Sequence, residues 1–422
     1  MAEPTNTPMP GSTPVPGSSR STSPVHPPIP SLTPNGTTVV VPSRLPPANQ
    51  NEQTPKPIVL HIGDPIKYNP ETYAEFSRDF RVMRPSAVER ERTEFIKALK
   101  EGRWGNFQAI FRPFWGTGGE MGRWDAELIS LLPDSVKVFA SAGAGFDWAD
   151  TKLLGEKGII YCNSGLAAAE AVADFAVAMV ISTFRHLPWC MGAATLPLIL
   201  PKDPSSTKSP SAERAFQTCH AQATSASHTL RNHTLGLIGM GNIGRHLAAK
   251  LGCPAFGMKI HYHDVLRKPP QVEAELGATF HESLPELLRA SDCVVLCTPA
   301  SPDGKPLITA AALSEFREGA RFVNIARGSL VDEEALADAL ESGHIHAVAL
   351  DVHAEEPRVN GRLAEMAGLA GERPGRVMLT CHNAGGTVET HVGFEELSMR
   401  NIMAVLEGGE ALTPVNLQWV RR

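Results

Sequence analysis

Short apolar runs alternate with longer amphipathic stretches over most of the chain. Strands are predicted at residues 58–62, 107–111, 136–140 and 159–162, and helices at 71–80, 86–100 and near 125–132. Ser86 is the predicted N-cap of the second helix, and Glu89, three residues on, completes a capping box. A long helix rich in Ala, Val and Met is predicted over 167–184. Residues 187–228 break the rhythm: they are Pro- and Ser-rich in the middle and read as a surface loop followed by a helix near 212–223. Alternation then resumes. Strands are predicted at 234–238, 258–262, 293–297, 321–325, 347–350 and 377–380, and helices at 283–290, 309–316, 333–342 and 389–406. Asp332 is the predicted N-cap of the helix over 333–342, and Gly343 its stop. Strands that alternate with helices imply parallel pairing, so the predicted class is α/β with doubly wound parallel sheets.

Composition narrows this picture. The chain has 422 residues, 42% of them hydrophobic, which is enough for two domains with cores of their own. A net charge of −6 gives no electrostatic case for nucleic acid. The seven cysteines form no CxxC pair, which suits the reduced thiols of a cytoplasmic protein better than disulfides or a metal site, and no metal is expected. No apolar run is read as a membrane span, and the N-terminus lacks a secretory signal. Residues 1–56 are Pro-, Ser- and Thr-rich with few charges and are expected to be a disordered tail, because such a segment buries too little apolar surface to order itself.

One stretch carries specific chemistry. The strand at 234–238 runs into Gly239-Met-Gly241-Asn242-Ile243-Gly244, a helical run follows, and a second strand ends at Asp264. Gly239 allows a tight turn, Gly241 lets the backbone approach a pyrophosphate, and Gly244 lets helix and strand pack closely. Asn242 and Ile243 open the helix, whose free N–H groups and partial positive charge favour phosphate. Asp264 would accept from the ribose hydroxyls, which favours NAD over NADP. Arg267 and Lys268 follow closely and soften that preference.

Other polar residues also fall just past strand ends: Thr298, Ala326-Arg327, Asp351, Glu356 and His382. Ligands of open α/β sheets bind outside the carboxyl ends of the strands, so these positions are expected to converge on one crevice. Arginine offers a planar fork for a carboxylate, histidine moves protons near neutral pH, and a carboxylate orients a histidine ring.

At this point the chain resembles the D-isomer-specific 2-hydroxyacid dehydrogenases, over residues 57–417. The stretches that carry the resemblance are GLIGMGNIG at 236–244, VNIARGSLVDEEALADAL at 323–340, ALDVHAEEP at 349–357 and LTCHNAGGT at 379–387. CPAFGMKIHYHD and HNAGGTVETHVGFEELSM are most similar to fungal enzymes for larger 2-oxo acids, D-mandelate dehydrogenases among them. The resemblance implies a Rossmann dinucleotide-binding domain at 164–387 inserted into a flavodoxin-like substrate domain at 57–163, to which 388–422 returns. It implies that Arg327 binds the substrate carboxylate, that His382 donates and accepts the proton, and that Glu356 holds His382. Ala144 and Gly145 would grip the carboxylate through backbone N–H groups, and Thr298, Ala326, Asp351 and His382 would face the cofactor. It also implies a homodimer joined near the long helix. Three features depart from the family pattern: the span from Gly244 to Asp264 is two residues longer than usual, Asn383 follows His382 where an apolar residue is commoner, and the N-terminal tail has no counterpart.

The expected reaction is hydride transfer between NAD(H) and C2 of a D-2-hydroxy or 2-oxo acid. Phe114-Trp115-Gly116, with Phe111 and Phe146, is the expected aromatic wall for a bulky side chain such as that of mandelate or phenylglyoxylate. Two other readings fit the same residues. One is an NADPH-dependent glyoxylate or hydroxypyruvate reductase. The other is an NAD-sensing binding protein of the corepressor type, which shares the fold and keeps Arg, Glu and His.

Overall fold

A computed structural model describes residues 55–114, 116–199, 210–301, 304–367 and 375–420. Nearly all of the predicted tail, 1–54, and Trp115 lie outside these residues.

Twelve strands are described, in two wholly parallel sheets. The first holds β1 (Ile58–His61), β2 (Arg81–Met83), β3 (Ala109–Arg112), β4 (Val138–Ser141) and β5 (Ile160–Cys162), in the order β2-β1-β3-β4-β5. This is the flavodoxin-like order. The second holds β6 (Thr234–Ile238), β7 (Lys259–His263), β8 (Ala278–Phe280), β9 (Cys293–Leu296), β10 (Ala320–Asn324), β11 (Ile345–Leu350) and β12 (Val377–Leu379). Its order, β8-β7-β6-β9-β10-β11-β12, is the Rossmann order 3-2-1-4-5-6 with a seventh strand added at the β12 edge.

Both sheets are covered on both faces, and the period-2 geometry of a strand sorts the side chains. In β9, Cys293 and Val295 join the core under the long helix Gly165–Arg185, while Val294 and Leu296 join the opposite core with Leu336 and Leu340. In β1, Leu60 faces a core containing Phe95, Trp124 and Phe139, and Val59 faces Phe76, Met399 and Ile402. The Rossmann domain is an insertion, because the closing helix Val388–Leu406 packs on β3, β4 and the first helix, Pro70–Asp79. Asn416 completes the return: its side chain accepts from Tyr161 N at 2.9 Å and donates to Thr151 O and Ile159 O at 2.9 and 3.0 Å.

Three expectations are corrected. The helix predicted over 86–100 is two helices, Ala87–Arg90 and Arg92–Lys100, separated by an extended Glu91. The Ser86–Glu89 capping box is present. Arg90 reaches Glu120 at 2.7 Å while Arg92 reaches Asp125 at 2.8 Å and Glu127 at 2.6 Å. Residues two apart on one helix face different ways, so the break lets both arginines reach the same segment. Second, the stretch 187–228 is a helical hairpin, Leu187–Ile199 and Pro210–Ala226, rather than a loop and one helix. Pro188 stands in the first turn, where its missing N–H costs nothing. Third, Gly165–Arg185 is by length and composition apolar enough to cross a membrane, contrary to the reading of the sequence. It packs against the helix Asn242–Gly252, the closing helix, β10 and β11, as a core helix does.

Candidate active site

Parallel strands deliver their following loops to one edge, and each sheet here presents such an edge. In the second sheet the order reverses between β6 and β9, and Gly239 and Thr298 follow those two strands. Gly239 has φ +95°, and a Cβ there would stand 3.0 Å from Thr298 Cγ2. At Gly244 a Cβ would meet Gly239 O at 2.4 Å, so the helix Asn242–Gly252 starts tight against the turn. At Gly241 a Cβ would meet nothing within 4 Å, which leaves room for a ligand to approach the backbone. Thr298 Oγ1 is buried with no hydrogen-bond partner. A cradle that opens at one glycine, closes at two others and carries an unspent buried hydroxyl fits a dinucleotide pyrophosphate.

Asp264 follows β7 directly. Its carboxylate accepts from Met240 N in the glycine turn at 2.8 Å and pairs with Lys268 Nζ at 2.9 Å. Burial alone would raise the carboxyl, but Lys268 and the Met240 N–H together hold it below the ordinary aspartate range. Between the helix Asn242–Gly252 and β7 the chain turns at 253–257. Arg231 donates to Pro254 O there at 2.7 Å, and Gly257 takes φ +65°.

Arg327 follows β10. Asn324, buried at the end of that strand, fixes the turn from both sides: its Oδ1 accepts from Ala326 N at 3.0 Å and its Nδ2 donates to Arg327 O at 2.9 Å. The guanidinium crosses to the loop after β4 in the first sheet. Nε lies 3.1 Å from Asp147 Oδ1, Nη1 donates to Ala326 O at 2.7 Å, and a Cβ on Gly145 would stand only 1.2 Å from Nη2. Gly145 is therefore the floor on which Arg327 rests. The loop is held in turn by Asn163, whose Nδ2 donates to Ala144 O at 2.8 Å, and by Ser164 N, which donates to Gly143 O at 2.9 Å.

His382 follows β12 with a left-handed φ of 53°. Its Nδ1 lies 2.8 Å from Glu356 Oε2, and Glu356 Oε1 accepts from His353 N at 3.0 Å. Asp351 is 1% exposed and sits beneath this loop: its carboxylate accepts from Thr380 Oγ1 at 2.7 Å, Asn383 N at 2.9 Å and Ala384 N at 2.8 Å. It anchors the backbone that carries His382. Gly328 links the two halves, since a Cβ there would stand 1.9 Å from His353 C. Arg327 and the Glu356–His382 pair are thus joined through directly packed backbone, and both His382 and Glu356 stay open to solvent.

The structure brings Gly145, Arg327, Glu356 and His382 into one continuous set, and Gly239, Gly241, Gly244, Asp264 and Thr298 into another. Asn242 and Ile243 begin the helix between them, and Ala326 supplies the carbonyl that Arg327 Nη1 holds. Sequence reasoning missed Asn324, Asn163 and Asp147 as site-building residues. Asn324 had a signal, a polar residue ending an otherwise apolar strand. Asp147 had none, because its partner lies 180 residues away.

The expected aromatic wall is corrected. Phe111 is fully buried against Phe76 and His61, and Phe146 packs on Tyr161 within the first-sheet core. Phe114 instead stands 6.1 Å from the His391 ring, which stacks on Tyr68 at 5.9 Å and meets Phe394 at 6.0 Å. Tyr68 and Phe114 belong to the loops after β1 and β3, beside the β4 loop that carries Gly145.

Comparisons with known proteins agree with this geometry. Residues 206–384 match the family model for the NAD binding domain of D-isomer specific 2-hydroxyacid dehydrogenases. A 4-methyl-2-oxopentanoate reductase A of Aspergillus oryzae is 33% identical, covering 77% of this chain and 88% of its own. The holo form of Rhodotorula graminis D-mandelate dehydrogenase superposes with a TM-score of 0.77 at 37% identity, over 86% of this chain and 98% of that one. A glyoxylate reductase from Paecilomyes thermophila gives a TM-score of 0.72 at 32% identity, over 86% and 100% of the two chains. This protein belongs to the D-isomer-specific 2-hydroxyacid dehydrogenase family, as an oxidoreductase that uses a nicotinamide dinucleotide on small 2-hydroxy or 2-oxo acids.

Proposed function

We propose that the protein interconverts a D-2-hydroxy acid and its 2-oxo acid with NAD(H), and that it prefers a bulky or aromatic substrate side chain of the mandelate and phenylglyoxylate kind. The observation that carries the proposal is the placement of Arg327 on Gly145, joined through Gly328 and His353 to the Glu356–His382 pair.

The substrate carboxylate meets the Arg327 guanidinium and the backbone N–H groups of Ala144 and Gly145. The Gly239–Gly244 turn and Asp264 would hold the dinucleotide, which would supply hydride for C2 of the substrate. Glu356 holds His382 Nδ1, so Nε2 is the nitrogen that serves the substrate oxygen. In reduction, protonated His382 gives its Nε2 proton to the carbonyl oxygen; in oxidation, neutral His382 removes the hydroxyl proton. Arg327 stabilises the charge that develops on that oxygen, which lowers the barrier rather than only binding the substrate. Thr298 stands against the cradle at Gly239, whereas Asp351, expected to face the cofactor, is buried beneath the His382 loop with its carboxylate taken up by Thr380, Asn383 and Ala384.

Support for a bulky side chain comes from Tyr68 and Phe114, on the loops after β1 and β3, which group their rings with His391 of the closing helix. One observation favours a second reading, a glyoxylate or hydroxypyruvate reductase that accepts NADPH. Lys268 neutralises Asp264, and this weakens the repulsion a 2′-phosphate would feel. Initial rates of phenylglyoxylate and glyoxylate reduction with NADH and with NADPH separate the two. We expect phenylglyoxylate with NADH to give the highest kcat/KM. Glyoxylate with NADPH in first place would establish the second reading, and NADH binding without turnover on any 2-oxo acid would favour a binding protein. We also take the protein to be a cytoplasmic homodimer, on the strength of its unpaired cysteines and its family; light scattering of the purified protein tests the dimer.

A further inference from the structure

The helical hairpin Leu187–Ile199 and Pro210–Ala226 stands between the long helix and β6, apart from the site described above. Its two helices pack through Trp189, Ala193, Cys219 and Ala223. Trp189 also fixes the hairpin to the sheet: a Cβ on Gly375, just ahead of β12, would stand 2.2 Å from Trp189 Cβ. Within this packing Cys190 Sγ and Cys219 Sγ face each other at 4.0 Å, 29 residues apart in sequence. Cys190 is exposed and Cys219 is buried.

A disulfide bond is about 2.0 Å long, so closure asks each sulfur to move roughly 1 Å, which a small side-chain rotation supplies. The two thiols belong to different helices, so a bond between them is a cross-link of tertiary structure. Cys293 and Cys297 differ in this respect: Cys293 opens β9 and Cys297 directly follows it, and burial pushes both thiols up to about 12.

We propose that Cys190 and Cys219 are a modification site, closed into a reversible intramolecular disulfide by exchange with a small-molecule disulfide of the glutathione class. Exposure makes Cys190 the entry point. Its thiolate attacks one sulfur of oxidised glutathione, that S–S bond breaks, and one glutathione thiolate leaves. Cys219 then gives up its proton and attacks the Cys190 sulfur, and the second glutathione leaves. Two protein thiols are oxidised by two electrons, one glutathione disulfide is reduced to two thiols, and the two protons end on the glutathiones. The order of attack follows from the surroundings. Burial first and the neighbouring Cys190 second push the Cys219 thiol up to about 11, so Cys219 is the slower nucleophile; capping Cys190 with glutathione removes the second cause.

Peptide mapping of the full chain tests this. Trypsin places Cys190 alone on the peptide 186–202 and Cys219 alone on 215–231. Native protein is incubated with oxidised glutathione, alkylated in denaturant and digested without reductant. The expected result is one linked species containing both peptides within a single chain, lost on addition of dithiothreitol. In Cys219→Ser, glutathione should remain on Cys190. In Cys190→Ser, Cys219 should stay open to alkylation. Turnover of a 2-oxo acid should be unchanged in both variants, since neither thiol touches the cleft. Recovery of wild-type Cys190 and Cys219 peptides separately alkylated, glutathione left on wild-type Cys190, or a link between two chains would each overturn the proposal.

Discussion

At Gly145 a single methyl group has a predicted consequence for catalysis. A Cβ there would stand 1.2 Å from Arg327 Nη2, so the guanidinium must leave its seat. The glycine has no positive φ to lose, and the variant can keep its backbone. Misplacing a binding and polarising group by about 1 Å costs on the order of 10²-fold. Gly145→Ala is therefore expected to lower kcat/KM by about 10²-fold while NADH binding, followed by fluorescence, stays as in the parent. Parent-like kcat/KM would show that Arg327 does not work from this position. At this scale the sequence was informative where a polar residue comes shortly after an apolar run, as Arg327 and His382 do. It did not assign residues the role of holding a backbone. Asn324 fixes Ala326 and Arg327, and Asp351 fixes Asn383 and Ala384, through contacts that leave no periodic mark.

Among the elements, the βαβ unit from Thr234 to Asp264 was the most legible. Strand, glycine turn and helix each obey a local rule, and β6 starts and ends where its pattern predicts. The helix Glu333–Ser342 was equally plain, with Asp332 accepting from Ala335 N at 3.0 Å and Gly343 left-handed at φ 86°. Two of the four edge strands, β2 and β8, were not legible. β2 and β8 are three residues each and partly exposed, too short and too little buried to show alternation. The hairpin Leu187–Ile199 was hidden by its prolines. One detail of the nucleotide unit was beyond a sequence reading: Lys268 lies against Asp264, and Arg267 is spent on Glu273 at 2.9 Å. Lys268→Ala should expose the full charge of Asp264 to a 2′-phosphate and raise the ratio of kcat/KM for NADH over NADPH. A fall in that ratio would mean that Lys268 does not serve to soften the preference.

For the whole molecule, the two cores carry titratable groups that tie stability to pH. His61 is fully buried between Tyr73 and Phe111. Burial, then the charges of Arg84 and Arg90, lower its pKa from 6.5 to about 4. His346, in the other sheet, is lowered to about 4 by burial and then by Arg321 and His186. Each ring is neutral in the folded chain and charges once unfolded, so the unfolded state binds more protons between these values. Their contribution to stability is complete above pH 6.5 and is lost as pH falls toward 4. One pKa unit corresponds to about 1.4 kcal/mol, so His61 alone accounts for roughly 3 kcal/mol across that window. His61→Phe should flatten the fall of the urea midpoint between pH 6.5 and pH 4; an unaltered slope would rule out this source. The doubly wound architecture of both sheets was legible because strand and helix alternate throughout. The course of Arg327 from one sheet to a loop of the other was not, since nothing local encodes a partner 180 residues distant.

In the proposed mechanism Arg327 belongs to the chemistry and not to the cofactor cradle. Arg327→Ala tests it most directly, with NADH binding measured by fluorescence and turnover measured on the best 2-oxo acid. The account predicts NADH affinity close to the parent's and kcat/KM lower by about 10³-fold or more, from the loss of a charged group that steadies the developing oxyanion. Near-normal turnover, or a loss confined to NADH binding, would contradict it.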